Sequence, residues 1–264
     1  MDTQGPSAAD SGTFLIGSDL PVRRLGYGTM RLVGEGTWGE PSDPAEARRV
    51  LRRAVELGVN LIDTADAYGP EIAERLICEA LYPYPSGLVI ATKGGITRQG
   101  PAKTEYVGRA GYLIQCVEMS LRRLKLERIE LYQLHRIDPR TPLEESLGAL
   151  RLMQEQGKIR HIGLSEASAD TLRRAEAVHP ITALQTEYST CSYSEVSPRL
   201  VSPIAVSHSR RSVLSAASGI SHAMYHGISR PAETSRPTVA QPAAVIQSSS
   251  PSQTRRTSQS TLIA

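Results

Sequence analysis

From Arg23 to about Tyr188 the chain alternates short apolar runs with longer amphipathic ones, the form that repeated βα units take around a parallel sheet. The runs RLGYGTM (24–30), VNLID (59–63), GLVIATK (87–93), IELYQLH (129–135), KIRHIGLS (158–165) and ITALQTE (181–187) predict six strands. Stretches such as YQLH and LVIAT leave no polar face, so helices are expected to cover the sheet. Between the strands, DPAE supplies Asp43 as an N-cap, Pro44 at the first helical position and Glu46 in capping-box position, and Gly58 follows the end of that helix. PLEESLGALRLMQEQG repeats Leu143, Leu147 and Leu150 at helical spacing and stops at Gly157.

After Tyr188 the pattern stops. From Cys191 onward about a quarter of the residues are serine, the only acids are Glu195 and Glu233, and no lysine follows Lys158. The closing SSSPSQTRRTSQSTLIA has no hydrophobic period to support further strands or helices. The expected organisation is an N-terminal extension (1–20), an incomplete βα domain (21–190) and a Ser/Arg/Pro-rich tail (191–264). The tail is read as disordered, or as the product of a reading frame shifted near Ser189 to Arg199, because the repeat arrests between a strand and its helix.

Composition narrows the classes. The 264 residues can bury a substantial core, and a net charge of +3 favours small-molecule partners over a nucleic acid or a membrane surface. Arg210, Arg211, Arg255 and Arg256 make the tail basic, but no aromatic platform accompanies them. Cys78, Cys116 and Cys191 form no C-x-x-C pair, which fits a reducing, cytoplasmic setting. The first residues lack the form of a signal peptide, and no apolar run approaches membrane-spanning length.

Parallel βα architectures gather chemistry at the carboxyl ends of their strands. Here Asp63 ends the second predicted strand with Tyr68 in its loop, Lys93 ends the third, and His135 ends the fourth. Singly, each has a structural reading: the aspartate a helix cap, the lysine a solvated charge, the histidine a packing residue. Together they suit proton transfer. A phenol of reference pKa about 10 becomes a useful acid when an ammonium stabilises its phenolate, and a carboxylate would hold that ammonium in place. GEGTWG (34–39) satisfies the dinucleotide pattern G-x-G-x-x-G, but two prolines intervene before the next helix, so a Rossmann turn is not expected.

GYGTMR, DTADAYG, ATKGG, LYQLHR, GKIRHIGLS and ALQTEYS, in this order, resemble the aldo-keto reductase family over about residues 20–190. The resemblance implies an α/β fold of (β/α)8 TIM-barrel type, here truncated after about six strands, that reduces aldehydes or ketones with NADPH. It implies Tyr68 as general acid, Lys93 as the group that lowers its pKa, Asp63 as partner of Lys93, and His135 as the residue that positions the carbonyl. Asp66 is left as a loop or capping residue. Ser165 and Gln185 match positions that bond the nicotinamide carboxamide; Gly28, Thr29 and Met30 match the strand end beneath the ring; Trp38 could wall the substrate pocket or simply pack its loop. No metal is implied.

Two departures qualify the resemblance. Glu166 stands where the family usually has asparagine and cannot supply an amide N–H. The aromatic and basic residues that the family's last two units bring to the cofactor are not recognisable after Tyr188. Two functions therefore stay open: an NADPH-dependent carbonyl reductase, or a truncated barrel without effective cofactor binding, either unstable or acting as a non-catalytic module.

Overall fold

The structure is a computed structural model that describes residues 7–187 and the backbone of two later strands. Six parallel strands form in sequence order: β3 (Leu25–Gly28), β4 (Leu61–Asp63), β5 (Val89–Gly94), β8 (Ile129–Leu134), β9 (Ile159–Ser165) and β10 (Ala183–Glu187). Each lies inside a predicted run, except that β5 extends one residue further, to Gly94. The helices between them are α1 (Pro44–Glu56), α2 (Ile72–Leu81), α3 (Ala110–Leu124), α4 (Leu143–Glu155) and α5 (Ala169–Val178). In α1, Asp43 caps the Glu46 N–H as expected, but Glu46 itself turns outward to Arg49, so only half of the capping box forms.

Two short segments after Tyr188 also form strands. Among the described residues the parallel repeat comprises six strands, and both edges of that sheet are paired. Strand β11 (Ser221–Gly227) pairs antiparallel with β10, and β12 (Ala243–Gln247) pairs antiparallel with β11 and parallel with β3, closing an eight-stranded ring. Two unpaired edges each present a row of backbone donors and acceptors, and the strand-length runs SHAMYHG and AAVIQ can satisfy them. The shifted-frame start near Ser189 to Arg199, Cys191 and the four tail arginines lie outside the described residues.

Residues 13–23 close the amino end of the barrel. β1 (Thr13–Ile16) and β2 (Leu20–Arg23) form a hairpin whose Phe14, Ile16, Leu20 and Val22 pack with Leu61, Val89, Leu131 and Ala183 near the amino ends of the barrel strands. Its loop docks through Asp19, which accepts from Arg160 and lies 2.8 Å from His161 Nε2. A second hairpin, β6 (Ile96–Gly100) with β7 (Lys103–Tyr106), follows β5 at the opposite end. The larger core lies between sheet and helices, where α3 and α4 bury Leu113, Val117, Leu147 and Leu150 against Tyr132 and Ile162. Burying one such leucine is worth about 1.5–3 kcal/mol, so this layer carries much of the ring's rigidity.

Candidate active site

Asp63 is the last residue of β4 and fully buried. Its register opposite Ala91 places it one strand from Lys93, the penultimate residue of β5 before Gly94. Lys93 Nζ lies 2.8 Å from each carboxylate oxygen of Asp63 and donates to the Thr64 carbonyl at 3.0 Å. Its remaining approach is to the Tyr68 hydroxyl, at 3.4 Å. Tyr68 in turn sets its ring edge-on to His135, centroids 5.7 Å apart at 82°. Three strand ends thus bring the four predicted residues into one buried group.

Electrostatics refine the expected roles. Burial of Lys93 pulls its pKa down, but the Asp63 charge outweighs this and the ammonium is held above its ordinary value. For Tyr68, burial pushes the phenol up while Lys93 draws it down, and burial wins. The phenol therefore stays protonated through neutral pH, which is the form an acid must start in. Burial also drives His135 well below the ordinary imidazole range, helped by the Lys93 and Arg136 charges. Its Nδ1 is buried with no partner among the described residues.

The other predicted residues surround this group unevenly. Gly28 ends β3, and Thr29 is buried with its N–H bonded to the Asp63 carbonyl at 2.9 Å. Met30 opens a short 3-10 turn. Trp38 is half-buried, and its loop pairs with the chain just after Tyr68 through Gly69. GEGTWG forms a single short 3-10 turn, Glu35–Thr37, and the next α-helix opens only at Pro44; Gly34 is required because a Cβ there would strike the Trp38 carbonyl. Asp66 lies in the β4–α2 loop, its carboxyl buried, bonded by the Ala67 N–H and turned toward Cys116 and Arg123.

Ser165 and Gln185 sit side by side in register on β9 and β10. Gln185 donates to Asp63 Oδ2 at 3.2 Å, while its Oε1 is buried without a partner among the described residues. Ser165 Oγ accepts from Arg136 at 3.0 Å, which leaves its hydroxyl proton free to donate. An orphaned acceptor beside a free donor is the complement of a primary carboxamide, so these residues fit the nicotinamide end of a dinucleotide. Glu166 does not join them. It is exposed, with a left-handed backbone (φ +54°), and its N–H donates to the Gln185 carbonyl at 2.8 Å. Arg136, which also donates to the His135 carbonyl at 2.8 Å, has no predicted role, although it lies inside the quoted LYQLHR run.

A sequence profile described as the aldo/keto reductase family matches residues 24–219. The chain belongs to the aldo/keto reductase family. It is 47% identical over 178 residues to an oxidoreductase of Schizosaccharomyces pombe, covering 67% of this chain and 58% of that protein. Among solved structures it is similar to a glycerol dehydrogenase from Gluconobacter oxydans, at TM-score 0.59 and 34% identity over 65% of this chain and 53% of that one. It is also similar to a Bacillus halodurans aldo-keto reductase in holo form, at TM-score 0.60 and 31% identity over 67% and 57%. The chain thus spans between half and three-fifths of the length of these aldo/keto reductase relatives.

Proposed function

We propose that this rim reduces an aldehyde or ketone to an alcohol with NADPH as hydride donor. The observation that carries the reading is the buried chain Asp63–Lys93–Tyr68 beside His135. When bound, the dinucleotide supplies the hydride. Ser165 and Gln185 hold its carboxamide, and Gly28, Thr29 and Met30 leave room beneath the ring. The substrate carbonyl oxygen sits between Tyr68 and His135. A neutral imidazole can donate one N–H to that oxygen, polarising the bond and fixing its direction. As negative charge develops on the oxygen, Tyr68 gives up its proton, and the nearby Lys93 ammonium compensates the phenolate. Asp63 keeps that ammonium charged and in place. Trp38 borders the substrate side.

The second reading is a barrel that does not hold the cofactor effectively. What favours it is the direction of β11: running antiparallel, it breaks the βα repeat that would bring two further loops to the catalytic rim. On this reading residues 191–264 come from a shifted frame, which resequencing the codons for Gln185 to Arg199 would test. Titrating NADPH against the protein and following its fluorescence separates the two functions, since saturable binding supports the reductase and its absence supports the impaired barrel. Cys78 and Cys116, both buried and unbridged, suit a cytoplasmic protein, and the substrate is a small carbonyl compound rather than a nucleic acid or lipid. Among the described residues no helix is long and apolar enough to cross a membrane.

A further inference from the structure

β8 and β9 run in parallel register through Leu134 opposite Leu164, so His135 and Ser165 stand level, each one position past that pair. Arg136 follows at once and reaches across to β9. A single nitrogen, Nη1, donates to the His135 carbonyl at 2.8 Å and to Ser165 Oγ at 3.0 Å. Its two hydrogens account for both bonds. One guanidinium thus joins the strand end that carries the imidazole to the strand end proposed to hold the carboxamide.

A guanidinium has hydrogens to give and no lone pair to accept with, whereas a serine hydroxyl has one proton and rotates to suit its neighbours. Facing Arg136, Ser165 Oγ can only accept, and its proton is directed elsewhere. A glutamine or a water in the place of Arg136 would leave both directions open, because each can give or take. Ser165 is 3% exposed, so bulk water competes little for that proton. The Arg136 charge also adds to the burial and the Lys93 charge that keep His135 neutral.

We infer that Arg136 is a positioning residue that fixes Ser165 as a hydrogen-bond donor, so that the oxygen of the cofactor's carboxamide, and not its N–H, faces β9. The inference rests on the NADPH reading above and deepens it. A primary carboxamide can meet a free hydroxyl in two ways, and Arg136 leaves one of them. Arg136 itself acts only through Ser165 and touches none of the reacting atoms.

Displacement of NADPH, followed by its fluorescence, tests the direction of that bond. The probe is the reduced 3-acetylpyridine analogue of NADPH, which keeps a carbonyl at the carboxamide position and has no N–H there. If Ser165 donates, Ser165→Ala weakens NADPH and the analogue alike, each by about tenfold, roughly the worth of one good hydrogen bond. Arg136→Gln should weaken both by a similar factor, but by less than about twofold on the Ser165→Ala background, since the two residues act through one hydroxyl. Arg136→Lys, again a pure donor and not reliant on the bidentate fork, should bind NADPH within about threefold of the parent. Ser165→Ala with the analogue decides the direction even where Arg136→Gln does not fold. An analogue insensitive to Ser165→Ala would show that Ser165 accepts from the amide; unchanged NADPH affinity in Arg136→Gln, or losses that add in the double variant, would show that Arg136 does not act through Ser165. Each of these overturns the inference and leaves the reductase reading standing. A parent that binds no NADPH overturns that reading, and the inference with it.

Discussion

Lys93 Nζ sits 2.8 Å from both oxygens of Asp63, and neither side chain is more than 1% exposed. A charge so placed depends on its partner for solvation. Asp63→Asn should therefore destabilise the protein by about 3–5 kcal/mol, because it strands a buried ammonium. Replacing both, Asp63→Leu with Lys93→Met, should recover most of that loss, since no charge then needs solvating. Urea unfolding of the three proteins checks this. Equal stability of the single variant and the parent would show that Lys93 finds its solvation elsewhere.

The Tyr68 hydroxyl lies 3.4 Å from Lys93 Nζ, its ring centroid lies 5.3 Å from the same ammonium, and the ring stands edge-on to His135. Tyr68→Phe keeps the ring and removes the proton. Carbonyl reduction should fall by about 10²–10⁴, with NADPH binding by fluorescence titration unchanged. Since burial raises the phenol's pKa, the parent's kcat for reduction should stay flat through neutral pH and decline only above about pH 10. A decline centred near neutrality would assign the essential proton to another group.

The parallel strands were legible in the sequence because burial on both faces leaves them apolar, as in LVIAT and YQLH, and length separates such runs from helices. The four-residue group was legible because Asp63, Lys93 and His135 lie at the ends of three strands, with Tyr68 in the loop after the first of them, and strand ends in a parallel sheet must converge. What escaped was long-range. Gln185 reaches Asp63 across 122 positions of sequence, and no local pattern reports that contact. The β1–β2 hairpin hides for a different reason. TFLIGSDLPVR alternates apolar and polar residues over stretches too short to distinguish a barrel plug from a leading arm. The strands β11 and β12 are set by the edges they complete, a property of β10 and β3 more than of the tail's own composition.

Glu166 is an exposed acid at φ +54°, a backbone that asparagine tolerates better than glutamate. Glu166→Asn should relieve this at a gain of about 0.5 kcal/mol in unfolding free energy, within the range for compatible backbone substitutions. It also restores an amide donor beside Ser165, so NADPH should bind more tightly by fluorescence titration. If stability rises and binding does not, Glu166 owes nothing to the cofactor.

Asp66 gives the sharpest pH dependence. Burial, assisted by the Glu74 charge, raises its carboxyl from 3.8 to about 7, despite the opposing bonds from Cys116 and Ala67 and the Arg123 charge. The folded state thus holds a proton that the unfolded chain releases near pH 4. Between these values the folded protein binds more protons, so the neutral acid's contribution is complete below about pH 4 and lost as pH rises through about 7. Asp66→Asn has no such proton to lose. Relative to the parent it should gain stability steadily from about pH 4 to 7, by up to about 4 kcal/mol for a shift of some three pH units, and then level off. Unfolding free energies of both proteins across that range decide the matter. A difference independent of pH would mean that Asp66 is ionised throughout, and that water reaches its carboxylate.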